Sequence, residues 1–414
     1  MIDINIAILS DSPLIPTGYR NQSLQLAQYL ISKGHNINFL ANGLMGMPIK
    51  NFELYDGTKC NFTMYGEAFT HQYFKDFISQ HLKETKSDWF IVLLDTFMLW
   101  GNDGWFTSVD FSPAKSIFWY PSDGGGGMPR FCENILRKVD YPVAMSRFGQ
   151  KQVKDMYNID TLHIPHGVDE KRFHRLPDLE KEMLRKKYGL EGKFVIGVVS
   201  RNQPRKNLDR TIKAMSLIKD RIPNAVLLCH LDPDDPSKSC DLKYQIQKYN
   251  LENRVFFSGM KAYKGFPDSQ MNEIYNLFDV FLLTTSGEGF CIPIIEAMAC
   301  EIPCLITSYT TTHELIEENK AGLGIKLSGT EQVSIFNMPS KQYDIKLFNG
   351  TLLGSWEVER GFCDIYDCAD KIIYLYNNPN LRKEMGKNGR KAVLEKYTFD
   401  NVGKAFEEII NKNE

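Results

Sequence analysis

The chain has 414 residues, 43% of them hydrophobic and 24% charged, enough for two or three domains that each bury a core. Lys and Arg total 49 against 51 Asp and Glu, a net charge of −2, and this balance argues against a protein that holds nucleic acid by bulk positive charge. No window carries the ~20 apolar residues of a membrane span, residues 1–10 read as a first strand rather than a secretory signal, and the nine cysteines include no Cys-x-x-Cys pair; free thiols in a reducing, cytoplasmic compartment are expected.

Short apolar runs alternate with longer amphipathic stretches. Candidate strands are 5–10, 37–42, 89–95, 116–120, 141–146 and 161–165 in the first half, then 194–200, 225–230, 255–259, 280–285 and 303–307. Runs that are apolar on both faces suit parallel strands covered by helices on each side. The spacers suit helices: within 21–34, Leu24, Ala27, Gln28 and Ile31 fall on neighbouring turns and Gly34 follows as a stop. This alternation, with right-handed crossovers, predicts an α/β chain built on doubly wound parallel sheets. The series occurs twice, and the polar stretch 168–193 between the two has no buried-strand run. The expected division is residues 1–172, a linker over 173–192, a second domain over 193–380, and C-terminal helices over 381–414 that return toward the first domain. The basic run 380–397 reads as a solvated helical face. Residues 326–363 are irregular and rich in aromatics, Gly and Ser, and receive no assignment. The segments 43–72 and 98–112 hold Phe52, Tyr55, Tyr65, Phe69, Trp100 and Trp105, which have the faces to stack on a sugar but are read first as core or lid side chains.

Ligands of open parallel sheets bind beyond the carboxyl ends of the strands, so the residues after each strand carry the most weight. After 5–10 come Pro16, Thr17 and Gly18 ahead of a helix. Gly18 lets the backbone approach a ligand closely, and a helix N-terminus offers amides to an anion, although a plain strand–helix turn has the same look. After 194–200, Arg201, Arg205 and Lys206 crowd a short turn ahead of a helix. Fixed cations there suit a diphosphate, on which charge builds as its bond to a sugar breaks; a solvated basic loop is the alternative. After 280–285 comes SGEGFCIPIIEAMA (286–299), with Glu288 at a helix entrance and Glu296 deeper along the helix. A carboxylate accepts two hydrogen bonds from a vicinal diol, which suits Glu296 to ribose hydroxyls. Pro293 fits the first helical turn, and the amides of Phe290, Cys291 and Ile292 are placed for sugar hydroxyls. No His/Asp cluster has metal-ligand spacing, and CHLDPDDP (229–236) reads as a turn-rich loop; no metal and no cofactor are expected.

Taken together, Thr17-Gly18, HIPHGVD (163–169), Ser200-Arg201 with Lys206-Asn207, and the Glu288/Glu296 pair in GEGFCIPIIEAMA resemble the motifs of the retaining glycosyltransferases of family 4, which have the GT-B fold. The likeness runs loosely over nearly the whole chain, through SRFGQKQV (146–153) and Tyr275 to Asp279. It implies two Rossmann-like domains facing a central cleft, a nucleotide-diphosphate sugar as donor, and hexosyl transfer to a hydroxyl of a glycan, lipid-linked or protein acceptor. Peripheral membrane contact is left open. By position, it implies that Arg201 and Lys206 hold the diphosphate and stabilise the leaving group, that Glu296 binds the ribose, and that Glu288 meets the transferred sugar. Gly18 then approaches the diphosphate from the other domain, and His166 is structural. It further implies departure and attack on one face of the sugar, with the leaving phosphate taking the acceptor proton and no protein nucleophile.

Two features depart from the family pattern. Relatives carry a histidine after the fourth strand, where YPSDGGGG (120–127) places Asp123, and the four glycines suggest a mobile loop. Cys291 stands where relatives often have glycine, and Glu301 likewise replaces a common glycine. A GT-B-like nucleotide-sugar epimerase is an alternative, with Asp95, Asp123 and Glu288 as acid/base groups. So is a non-catalytic carbohydrate-binding relative whose pocket Cys291 narrows. A Rossmann dehydrogenase is disfavoured, since no Gly-x-Gly-x-x-Gly follows the first strand.

Overall fold

The computed structural model describes residues 3–54, 57–67, 77–100, 104–125, 128, 131–238, 240–261, 265, 266, 268–334 and 357–412. The chain divides into two units, 1–166 with 332–359 and 399–414, and 167–331 with 360–398.

In the first unit, β1 (Asn5–Asp11), β2 (Asn36–Met45), β3 (Ile49–Glu53), β4 (Lys59–Glu67), β5 (Trp89–Leu93), β6 (Lys115–Tyr120), β7 (Tyr141–Ala144) and β8 (Leu162–His163) form one sheet in the order β3-β4-β2-β1-β5-β6-β7-β8. Neighbours run parallel except β3, which lies antiparallel to β4. Ile8 of β1 stands opposite Phe39 of β2 and Ile91 of β5, so the strands with the most continuous apolar runs occupy the centre. One face is covered by a core of Leu9, Phe90, Val92, Phe118 and Tyr120 packed with Trp105, Phe106 and Leu136. Trp105 is thus a core residue, as expected, whereas Tyr55 and Phe69 lie outside the described residues. The C-terminal helix Phe399–Asn411 lies on the helix Gly18–Ser32, where the Tyr29 hydroxyl donates to Glu407 at 2.9 Å. A Cβ at Gly403 would fall 2.3 Å from the Tyr29 ring, so only glycine permits this approach.

In the second unit, β9 (Phe194–Val199), β10 (Ala225–His230), β11 (Val255–Phe257), β12 (Val280–Leu283), β13 (Cys304–Thr307) and β14 (Gly322–Ile325) form a parallel sheet in the order β11-β10-β9-β12-β13-β14. Every residue of β9, β10, β12 and β13 is buried, as both-sided helix cover demands.

The segment expected to be a linker, 173–192, belongs to this second unit. Its helix Asp178–Lys187 is pinned by Arg185, which donates to Asp279 at 2.7 Å and to the Leu277 carbonyl at 2.8 Å, and Phe173 sets its ring edge-on to Tyr275. The helix Pro379–Lys396 also stays with the second unit, because Arg390 donates to the carbonyls of Ala299, Glu170 and Phe173. Of the C-terminal helices, 399–414 belong to the first unit and 381–398 to the second. Within 326–363, β15 (Leu327–Ser334) pairs with β16 (Glu357–Cys363), and 335–356 lie outside the described residues. Among the described residues no helix is long and apolar enough to cross a membrane.

Candidate functional site

Strand order reverses between β9 and β12 in the second unit, and neighbouring strands with connections leaving in opposite directions open a crevice beyond their carboxyl ends. Two loops meet there. After β9 the chain makes a 3-10 turn, Pro204–Lys206, and Asn207 takes a left-handed backbone (φ 47°) before the helix Leu208–Ile218. After β12 it runs through Thr284 to Cys291, also left-handed (φ 77°), into the helix Ile292–Ala299 with Pro293 in its first turn.

Hydrogen bonds lock the two loops together. The Arg205 carbonyl accepts from the Ser286 amide at 2.7 Å, the Ser286 hydroxyl at 2.9 Å and the Thr285 hydroxyl at 3.2 Å. Thr284 bonds the Thr211 hydroxyl at 2.8 Å and the Asn207 carbonyl at 2.9 Å. The Glu288 amide donates to the Thr310 hydroxyl at 3.0 Å.

Across this junction lies a charged cluster. Lys206 Nζ meets Glu288 Oε1 at 2.5 Å, and Arg205 Nη1 meets Glu288 Oε2 at 2.5 Å. Lys206 and Glu288 are buried, at 7% and 3% exposure. Burial pushes the Glu288 carboxyl up, but Arg205 and Lys206 outweigh it and hold it down at about 2. The carboxylate is therefore ionised at neutral pH, and the three groups carry a net positive charge in a largely desolvated place.

The other expected site residues fall as follows. Arg201 is not on Glu288. Its Nε and Nη2 each donate to Asp235 at 2.9 Å, with Ser237 Oγ at 3.2 Å from Nη2. Burial raises the Asp235 carboxyl, yet the Arg201 and Ser237 hydrogen bonds bring it down to about 2. The loop of 229–236 thus spends its acids on side-chain partners, with Asp234 on Lys243 and Asp232 on Lys261. Among the described residues no group of three or more His, Cys, Asp or Glu is placed to hold a metal ion. Glu296, on the helix Ile292–Ala299, accepts from the Tyr275 hydroxyl at 2.5 Å. Burial first, and Glu296 second, raise that phenol well above its usual range. Phe290 is buried, and its carbonyl accepts from Thr311 at 3.1 Å. Burial, aided by Glu288, pushes the Cys291 thiol up to about 12, so it is a neutral buried side chain. Ile292 opens the helix.

In the first unit the strand order reverses between β1 and β5. Thr17 caps the helix that begins at Gly18, accepting from the Arg20 amide at 3.1 Å while donating to Asp11 at 2.6 Å. From the β5 side, Asp95 accepts from the Tyr19 hydroxyl at 2.8 Å. Asp123 follows β6 and is half-buried. After it, Gly125 and Glu359 exchange two backbone hydrogen bonds of 3.0 Å, and a Cβ on Gly124 would sit 2.9 Å from the Glu359 carbonyl. Gly126 and Gly127 lie outside the described residues. His166 is buried edge-on against Trp119, and burial pushes its imidazole down to about 3 and keeps it neutral.

Arg205, Asp235 and Tyr275 are partners that sequence reasoning did not assign. Arg205 was visible as a cation in the right turn, but Asp235 and Tyr275 stand 34 and 21 residues from the groups they bond, with no periodicity to link them.

Paired parallel-sheet units, the second with a charged crevice at its switch point, define the GT-B class of glycosyltransferase folds. A sucrose-phosphate synthase from Thermosynechococcus elongatus matches with a TM-score of 0.75 at 16% identity, over 99% of this chain and 98% of that one. Anabaena HepE, solved in complex with UDP, matches with a TM-score of 0.69 at 14% identity, over 99% of this chain and 100% of that one. Within that class, residues 180–332 match the family described as Glycosyl transferases group 1, and this segment, which carries the charged cluster, is a member of it. Among curated proteins, mannosylfructose-phosphate synthase of Agrobacterium fabrum is 30% identical over 181 residues, 42% of this chain and 38% of that protein. The chain spans about half the length of other curated relatives it matches.

Proposed function

We propose that the chain is a glycosyltransferase that moves a hexosyl unit from a nucleotide-diphosphate sugar to a hydroxyl acceptor, with retention at the anomeric carbon and without a metal ion. The observation that carries this reading is the Lys206–Glu288–Arg205 cluster at the switch point, inside the segment that matches the family. A diphosphate leaving group gains negative charge as the sugar departs. Cations already fixed and desolvated there stabilise the transition state more than water does. Hydrogen bonds to charged groups are worth about 1.5–3 kcal/mol each. In this reading Lys206 and Arg201 bind the diphosphate, Glu296 takes the ribose diol, Glu288 meets the transferred sugar, and the leaving phosphate accepts the acceptor proton. The backbone from Phe290 to Ile292 meets sugar hydroxyls. On the first unit, Gly18 and Asp123 follow β1 and β6 at carboxyl ends of strands; in this reading Gly18 is a donor-binding residue and Asp123 a catalytic one.

The test is a panel of UDP-, GDP- and ADP-sugars. A donor that binds only the native state raises the melting temperature, and that donor is then supplied with glycan, lipid-linked and protein acceptors. Transfer with the anomeric configuration kept, unaffected by EDTA, is expected. Stabilisation by none of the donors contradicts the reading, and conversion of a donor alone into its epimer assigns an isomerase instead.

A further inference from the structure

We propose that Arg205 is a further donor-site cation, held on Glu288 and exchanged onto the diphosphate when the donor binds. This rests on the proposed donor class. Three observations carry it. The Arg205 backbone is fixed at the junction of the two switch-point loops by three hydrogen bonds to its carbonyl, so its side chain starts from a defined place. Its guanidinium shares one buried carboxylate with Lys206, so two cations meet on Glu288. Redirecting it also leaves its carboxylate partner paired, which redirecting Arg201 does not. When Arg205 turns away, Glu288 keeps Lys206 at 2.5 Å. When Arg201 turns away, Asp235, whose side chain has no exposed surface, loses both arms of its guanidinium fork. Arg201 is thus suited to meet a ligand without leaving Asp235, through its remaining nitrogen Nη1. Arg205 is suited to follow the ligand. Arg205 is 31% exposed at its side chain, enough to reach a diphosphate, whereas Lys206 at 9% is nearly enclosed.

Glu288 is then the internal anion that stands against the cations until the donor arrives. The exchange predicts opposite effects of removing the two partners. Calorimetric titration of the full chain with UDP, GDP and ADP, and with the corresponding monophosphates, tests it. Arg205→Ala is expected to weaken the diphosphate that binds wild-type protein by ten- to a hundredfold and to leave the monophosphate within about threefold. Arg205→Lys, which keeps the charge, is expected to stay within about tenfold for both and keeps the test valid if the alanine variant misfolds. Glu288→Gln is expected to bind the same diphosphate several-fold more tightly. Unchanged diphosphate affinity in Arg205→Ala, or equal weakening by Arg205→Lys and Arg205→Ala, overturns the assignment, and weaker binding by Glu288→Gln overturns the exchange. Failure of wild-type protein to bind any of the three diphosphates instead refutes the donor class itself, and so is distinguishable.

Discussion

Lys206 and Glu288 show how two ordinary residues become a buried ion pair through place alone. Each is buried, and their contact at 2.5 Å crosses between two loops that are neighbours only because β9 and β12 are. Removing the lysine leaves Glu288 with Arg205, so Lys206→Ala is expected to keep the fold, with an unchanged circular dichroism spectrum. Its turnover should fall on the order of a hundredfold or more, because the lost contact strengthens in the transition state; near-normal turnover contradicts the assignment. Asp235→Asn acts differently. It takes the charge from a bidentate pair whose carboxylate also accepts from the Ser237 amide and hydroxyl, and the loop after β10 should loosen. A loss of about 1–3 kcal/mol in urea unfolding is expected, with a fall in Arg201-dependent diphosphate affinity; unchanged stability would remove Asp235 from the site's scaffold. Lys206 and Glu288 could be read from the sequence because residues after apolar strands cluster by chain order. The Asp235 and Tyr275 pairings could not, since they depend on how loops from different strands lie side by side.

At the scale of elements, the buried parallel strands were the most readable, since a run such as 194–199 or 225–230 is apolar throughout. β4 escaped notice although Cys60, Phe62 and Met64 are buried alternately with more exposed neighbours, the two-residue period of a strand with one wet face. β14 had no such signal: Gly322-Leu323-Gly324-Ile325 carries two glycines, and Gly322 is required because a Cβ there would sit 1.8 Å from the Cys304 carbonyl of β13. The C-terminal helix depends on a similar contact. Gly403→Ala places a methyl group against the Tyr29 ring, and overpacking of this kind costs about 1–3 kcal/mol. The helix Phe399–Asn411 should release from the helix Gly18–Ser32 while the strands of the sheet stay intact. Hydrogen exchange is expected to show faster exchange in 399–411 than in β1 or β5, and equal acceleration throughout the first unit would mean that the helix is not a separable element.

The two units differ in what acid does to them. The first holds His81 and His166 buried and His163 half-buried, all in neutral form. Burial is the leading cause for each, with Arg147 adding to it at His163 and Glu84 opposing it at His81, and their values fall to about 4, 4 and 3. The unfolded chain takes up protons at these groups below about pH 6.5, so the unfolded state binds more protons and stability falls as pH drops from 6.5 toward 4, by about 1.4 kcal/mol per pH unit for each proton. The second unit buries one such histidine, His230, lowered to about 4, and two carboxylates lowered to about 2, Glu288 and Asp235. Those carboxylates stabilise fully above their unfolded values near 4 and lose that contribution only as pH falls through 4 toward 2. The first unit should therefore weaken between pH 6.5 and 4, and the second chiefly below. The chain carries its own reporter, because all five tryptophans (Trp89, Trp100, Trp105, Trp119 and Trp356) fall within 1–166 and 332–359, while 167–331 and 360–398 contain none. Urea unfolding at pH 7.5 and at pH 5 should move the tryptophan fluorescence midpoint down more than the far-ultraviolet circular dichroism midpoint, which weighs both units, and the two curves should separate as two-state behaviour is lost. Midpoints that fall together would show that the buried histidines do not set the acid limit of the first unit.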